Sequence, residues 1–126
     1  MITQADLQQF TGTENYYKHW LGFKFTDGVN YLADKAGAFW LLDVIASWQP
    51  EIKKRYSANP DFYSFQVWTL RRSVDTTSHW NGSWVARCED GNGQYICSQD
   101  IPHSDFPLDS AEVWFINGVM LLPSEY

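Results

Sequence analysis

Glu112-Val113-Trp114-Phe115-Ile116, then Asn117-Gly118, then Val119-Met120-Leu121-Leu122: two apolar runs meet at an Asn-Gly pair. Asn-Gly is the signature of a two-residue type I′ turn, which needs positive φ at both central positions. The stretch therefore reads as a β-hairpin. Its strands are apolar on both faces, so they belong at the centre of a sheet and under helices. Pro123 ends the second strand.

The same turn signal stands upstream. Ser83 to Glu89 and Gln94 to Gln99 flank Asn92-Gly93. A type I′ turn there pairs residue 91 with 94, 90 with 95, 89 with 96 and 88 with 97, setting Cys88 opposite Cys97. In an oxidising compartment that pair invites a disulfide. In cytoplasm it implies two reduced thiols side by side. Phe65 to Arg71 alternates with period two and adds another strand. Residues 73–82, rich in Ser, Thr, Asp, Asn and Gly, read as a loop.

The first half reads differently. Thr3 caps a short helix over residues 3–10. The aromatic-rich stretch 15–25 fits a strand or hairpin-like segment. Thr26-Asp27-Gly28 starts a helix running to Lys35, and Gly37 breaks it. Ala38 to Trp48 is apolar on nearly every side, interrupted by Asp43 and Ser47, which predicts a helix at the centre of the core. Pro50 follows that helix or opens the next, a short basic one over Glu51 to Tyr56. The expectation is one α+β domain over 1–126, with 1–61 mainly helical and 62–126 mainly β. The N-terminal helices pack on one antiparallel sheet of about four to five strands, a meander with two Asn-Gly hairpins.

A chain of 126 residues can bury a sizeable core without metals or disulfides. Its aromatic share of 17% exceeds what such a core readily hides, so some rings belong on the surface as recognition residues. The net charge is −6, and residues 73–126 carry eight acids against one base. Such a balance excludes direct nucleic-acid binding, which needs Lys and Arg, and suits a basic protein groove. The opening residues lack a basic segment followed by an apolar run, and no stretch nears the roughly 20 apolar residues of a membrane span. A cytoplasmic location is the expectation, with no membrane partner.

No metal or cofactor motif stands out. His19, His79 and His103 show no metal-ligand spacing. His103-Ser104-Asp105 groups three catalytic residue types, but sequence neighbours rarely converge as a triad does. A loop fixed by Pro102 and Pro107, with Asp105 satisfying backbone N–H groups, is the plainer reading. Asp43 is a lone acid on an apolar helix: either paired with a partner such as Lys18 or Arg71, or capping a neighbouring helix, or an acid in a pocket beside Trp40. Lys53-Lys54-Arg55 reads as a solvated helix face. Trp80, in a polar loop beside His79, is the candidate exposed contact residue.

Several strings carry a resemblance. They are Phe10-Thr11-Gly12-Thr13-Glu14 with Tyr16-Tyr17, Thr26-Asp27-Gly28-Val29, Ala36-Gly37-Ala38 with Trp40-Leu41-Leu42-Asp43, Asp105-Phe106-Pro107-Leu108, and Leu122-Pro123-Ser124-Glu125-Tyr126. Through them the chain resembles, over almost its whole length, a small uncharacterised family of bacterial, plasmid and phage proteins. The resemblance brings no catalytic residues. It implies a mobile-element setting, in which small acidic proteins often inhibit host defence systems.

The functional expectation is a non-enzymatic binding protein of the anti-CRISPR kind, inhibiting a host nucleic-acid-handling complex. His79, Trp80, Asp100, His103, Asp105, Asp109 and Glu112 would make the contact. The alternatives are a nucleotide or small-ligand binder or hydrolase with an aromatic pocket around Trp40 and Asp43, and a structural, homo-oligomeric component of a phage or plasmid.

Overall fold

The computed structural model describes residues 2–12, 14–58, 64–73 and 82–126. Thr3 opens α1 (Gln4–Gln8) with a reciprocal cap: its hydroxyl accepts the Asp6 N–H while the Asp6 carboxylate accepts its own. A hairpin of β1 (Tyr16–Lys18) and β2 (Lys24–Thr26) follows. Then come α2 (Asp27–Lys35) and α3 (Phe39–Arg55). The rest is β3 (Phe65–Arg72), β4 (Trp84–Glu89), β5 (Tyr95–Ile101), β6 (Ser110–Ile116) and β7 (Val119–Leu121), closed by a 3₁₀ turn at Pro123–Glu125.

The strands form one sheet in the order β1-β2-β7-β6-β3-β4-β5. It is α+β as the sequence implies, but the sheet has seven strands rather than four to five. It is mixed rather than antiparallel, because β2 runs parallel to β7. The extra strands are three residues long, too short for alternation to show. Nor is the order a simple meander, since β3 lies between β4 and β6. The opening hairpin sequence does lie near the centre, as β6 and β7, and its turn has positive φ at Asn117 (49°) and Gly118 (85°).

The β4–β5 hairpin differs from the expected one. Cys88 does pair with Cys97, but the register slips after it and Glu89 pairs with Tyr95 instead of residue 96. Positive φ falls on Gly91 and Gly93, not on Asn92. The Asp90 side chain explains the change: its Oδ1 accepts the N–H groups of Asn92 (2.8 Å) and Gln94 (3.1 Å), holding a longer loop.

One sheet face is the core face. Trp68 and Leu70 of β3, Trp84, Ala86 and Cys88 of β4, and Val113 and Phe115 of β6 bury against Leu41, Leu42, Ile45 and Ile52 of α3. Trp68 and Trp84 are wholly buried, and each such side chain contributes about 2 kcal/mol or more on leaving water. Their N–H groups are satisfied by Gln66 Oε1 and the Ser104 carbonyl. α3 is one 17-residue helix with Pro50 inside it, not two helices meeting there. Pro50 has no N–H for the Ala46 carbonyl, and packing of Ile45, Ala46 and Ile52 carries the helix through. Nor is α3 buried all round: Phe39, Asp43 and Ser47 face solvent.

Among the described residues, no helix is long and apolar enough to cross a membrane.

Candidate binding surface

Asp43 has neither Lys18 nor Arg71 as its partner. It projects from α3 toward the turn between β1 and β2, where its Oδ1 lies 2.7 Å from His19 Nε2 and accepts the indole N–H of Trp20 at 3.0 Å. The turn is closed by two backbone bonds, His19 N–H to Phe23 and Gly22 N–H to His19. Leu21 N–H donates to His19 Nδ1 at 3.1 Å. A backbone N–H can only donate, so Nδ1 carries the lone pair and Nε2 carries the proton given to Asp43. Both ring nitrogens of His19 are thereby occupied.

His19 is 5% exposed, whereas Asp43 is 52% exposed. The contact is therefore a hydrogen bond at a surface rim and not a buried ion pair, and Asp43 is not the buried acid that the sequence suggested. Trp20 lies over His19 with ring centroids 5.7 Å apart and is 77% exposed. Leu21 (41% exposed) follows it in the turn, and Phe39 (46% exposed) stands on α3 one helical turn before Asp43, edge-on to Phe25. The result is an apolar surface whose largest ring is held in place from below by a carboxylate and an imidazole.

The structure brings some of the expected site residues together. His79 and Trp80 lie outside the described residues. Asp100 is on β5, at the sheet edge opposite β1. His103 and Asp105 line a shallow cleft of about 550 Å³ with Gly37, Trp40 and Ile101. Asp43 does not line that cleft, so Trp40 and Asp43 share no pocket there. Ser104, not Asp105, satisfies the local backbone: its hydroxyl accepts the Phe106 N–H. Asp109 pairs with Arg72 at 3.3 Å. Glu112 accepts the Trp114 indole N–H at 2.7 Å and lies on the exposed sheet face near Arg71 and Arg87. Asp100, opposite Val85, shares that exposed face, whereas Asp105 and Asp109 lie in the loop between β5 and β6.

Lys53, Lys54 and Arg55 occupy the last turn of α3, where positive charge meets the helix dipole, and Arg55 pairs with Glu51. Among the described residues, no three His, Cys, Asp or Glu side chains are grouped to hold a metal.

At the C-terminus, Glu125 returns to the start of α2. Its carboxylate accepts the Thr26 hydroxyl (2.6 Å) and the Gly28 N–H (3.1 Å). Two of the strings that carried the resemblance, 26–29 and 122–126, thus form one contact. The chain belongs to DUF6876, a family of unknown function. The family's model matches residues 1–126, so every element described above falls within it. No curated protein and no solved structure matches the chain.

In this family member, sequence reasoning set Trp20 only in a possible aromatic pocket with Trp40 and Trp80, weighed His19 only as a metal ligand, and singled out neither Leu21 nor Phe39. The only signal was the crowding of aromatics in 15–25. Nothing in sequence links His19 to Asp43, which lie 24 residues apart.

Proposed function

We propose that this chain is a non-enzymatic protein-binding module and that Trp20, with Leu21 and Phe39, is its anchor. The observation that supports it is an exposed indole fixed in one orientation by Asp43 and His19. An anchor already ordered in the free protein loses little side-chain entropy on binding, and Trp is the residue most enriched at binding hot spots. His19 supports the non-enzymatic reading, since neither ring nitrogen is left to take a proton from a substrate. The net charge of −6 favours a basic partner. The narrower reading, inhibition of a host nucleic-acid-handling defence complex, rests on that charge balance and on the resemblance.

The test compares capture from host lysate by the wild-type chain, by Trp20→Ala with Phe39→Ala, and by Asp100, Asp105, Asp109 and Glu112 all changed to Lys. A specific partner whose affinity falls at least ~10-fold with the first variant supports the anchor. A partner lost only with the second variant overturns it in favour of the acidic surface.

A further inference from the structure

β1 is an edge of the sheet. In an antiparallel ladder, residues facing the partner strand alternate with residues facing away. The His19 N–H reaches Phe23 across the turn, so His19 and, two residues back, Tyr17 aim their backbone groups at β2. Tyr16 and Lys18 therefore aim theirs outward. Neither N–H has a partner among the described residues, and β1 contains no proline or bulge to blunt it.

We propose that β1 pairs antiparallel with β1 of a second copy, about a two-fold axis at Tyr17. One register uses every outward group: Tyr16 opposite Lys18 of the second copy, and Lys18 opposite its Tyr16. Each pair exchanges two N–H···O=C bonds, so four orphan groups on each copy are satisfied at once. The same register brings the Lys18 ammonium to the Tyr16 ring of the second copy, with Glu14 of that copy on the diagonal. Lysine ordinarily guards an edge; here the pairing supplies it with a ring and a carboxylate. Tyr17 meets its own counterpart at the axis, on the side where it stacks on Phe25.

Charge selects this edge over the other. Glu14, Lys18, Lys24 and Asp27 around the first hairpin balance to zero, although the chain carries −6. At the opposite edge, β5 carries Asp100 and no Lys or Arg, so two copies would gain no opposite-charge pair there. Trp20 stands in the turn beyond the end of β1, outside the proposed pairing, so each copy keeps its own Trp20 exposed. For that clause alone the inference rests on the binding reading above: the dimer would offer two anchors to one partner surface.

Sedimentation equilibrium tests the pairing directly. The wild-type chain is expected at twice its 14.6 kDa mass. Lys18→Pro, which removes an outward N–H and no β1–β2 bond, is expected to run as a monomer with an unchanged circular dichroism spectrum. Should that variant misfold, Tyr17→Cys serves instead: a residue facing itself across the axis lies within disulfide reach and is expected to give a covalent dimer on mild oxidation. Lys24→Cys is expected to give none. A wild-type monomer at the highest soluble concentration overturns the proposal. So does a dimer that survives in folded Lys18→Pro, or a Tyr17→Cys chain that does not cross-link. None of these outcomes bears on the Trp20 anchor, whose loss is read in heterologous binding.

Discussion

His19 gives its one ring proton to Asp43 at 2.7 Å while its other nitrogen accepts the N–H of Leu21. The imidazole is a bracket between the β1–β2 turn and α3, and Trp20 rests on that bracket. Nitrogen-15 NMR is expected to find His19 as the Nε2–H tautomer. Asp43→Ala leaves a nearly buried N–H without its acceptor and should cost about 1–3 kcal/mol in urea unfolding. The same change should release Trp20, seen as a narrowed and shifted indole N–H signal in nitrogen-15 NMR, whereas Asp43→Asn keeps an acceptor and is expected to be milder.

Gly28 is in ordinary helical conformation, a place where Ala usually stabilises by about 0.4–1 kcal/mol. Here a Cβ would lie 2.5 Å from Glu125 Oε1 and 2.7 Å from Leu122 Cδ1. Gly28→Ala is therefore expected to destabilise. Glu125→Ala should also destabilise, by removing the acceptor for the Thr26 hydroxyl and the Gly28 N–H. The double variant should be more stable than the sum of the two losses, because one change removes the obstacle met by the other. A strictly additive cycle would show that Glu125 does not hold this end of α2.

Gln66 is wholly buried and trades amide hydrogen bonds with Gln49 at 2.8 and 2.9 Å, while its oxygen also takes the Trp68 indole N–H. Gln66→Leu strands the Trp68 N–H and takes both Gln66 bonds from Gln49, whose Nε2 keeps the Ile45 carbonyl. A loss of about 1–3 kcal/mol is expected, with partial recovery when Gln49→Leu and Trp68→Phe are added. Denaturant midpoints of the single and triple variants decide it.

Cys88 and Cys97 are buried, free and directly opposed. The hydrogen bond with Cys97, and then burial, push the Cys88 thiol up, whereas the bond with Cys88 lowers Cys97. In the unfolded chain both thiols ionise near the ordinary value of 9.0. Above that pH the folded pair keeps the Cys88 proton that the unfolded chain has lost. Stability present below pH 9.0 should then fall as pH rises, by ~1.4 kcal/mol per pH unit for the one proton. Cys97 acts in the opposite sense, adding stability as pH rises toward 9.0. The Tyr17 hydroxyl, raised by its hydrogen bond to Asp27, acts as Cys88 does, so the comparison belongs in a Tyr17→Phe background. Urea midpoints that decline equally in Cys88→Ala would refute the assignment.

Long elements were legible because their patterns are local. The β6–β7 hairpin could be read from Asn117-Gly118 between apolar runs, and α2 from Thr26, whose hydroxyl does accept the Val29 N–H. β1 and β2 were poorly legible because three residues cannot display a period, and β7, equally short, was read only through its turn. The break expected at Pro50 failed because burial on both sides of the proline outweighs one missing backbone bond. At the β4–β5 turn, a side-chain acceptor at Asp90 overrode the preference of Asn92-Gly93.

By itself the sequence determined the fold class, the helix starts and the central hairpin, since each depends on residues within a few positions of one another. The tertiary structure alone decided the parallel joining of β2 to β7, the bracket of His19 and Asp43, the Gln49–Gln66 pair and the return of Glu125 to Gly28. The physical reason is common to all four. A hydrogen bond or strand pairing between residues far apart along the chain leaves no period and no motif. It exists only once burial of the apolar face has brought those residues within about 3 Å of each other.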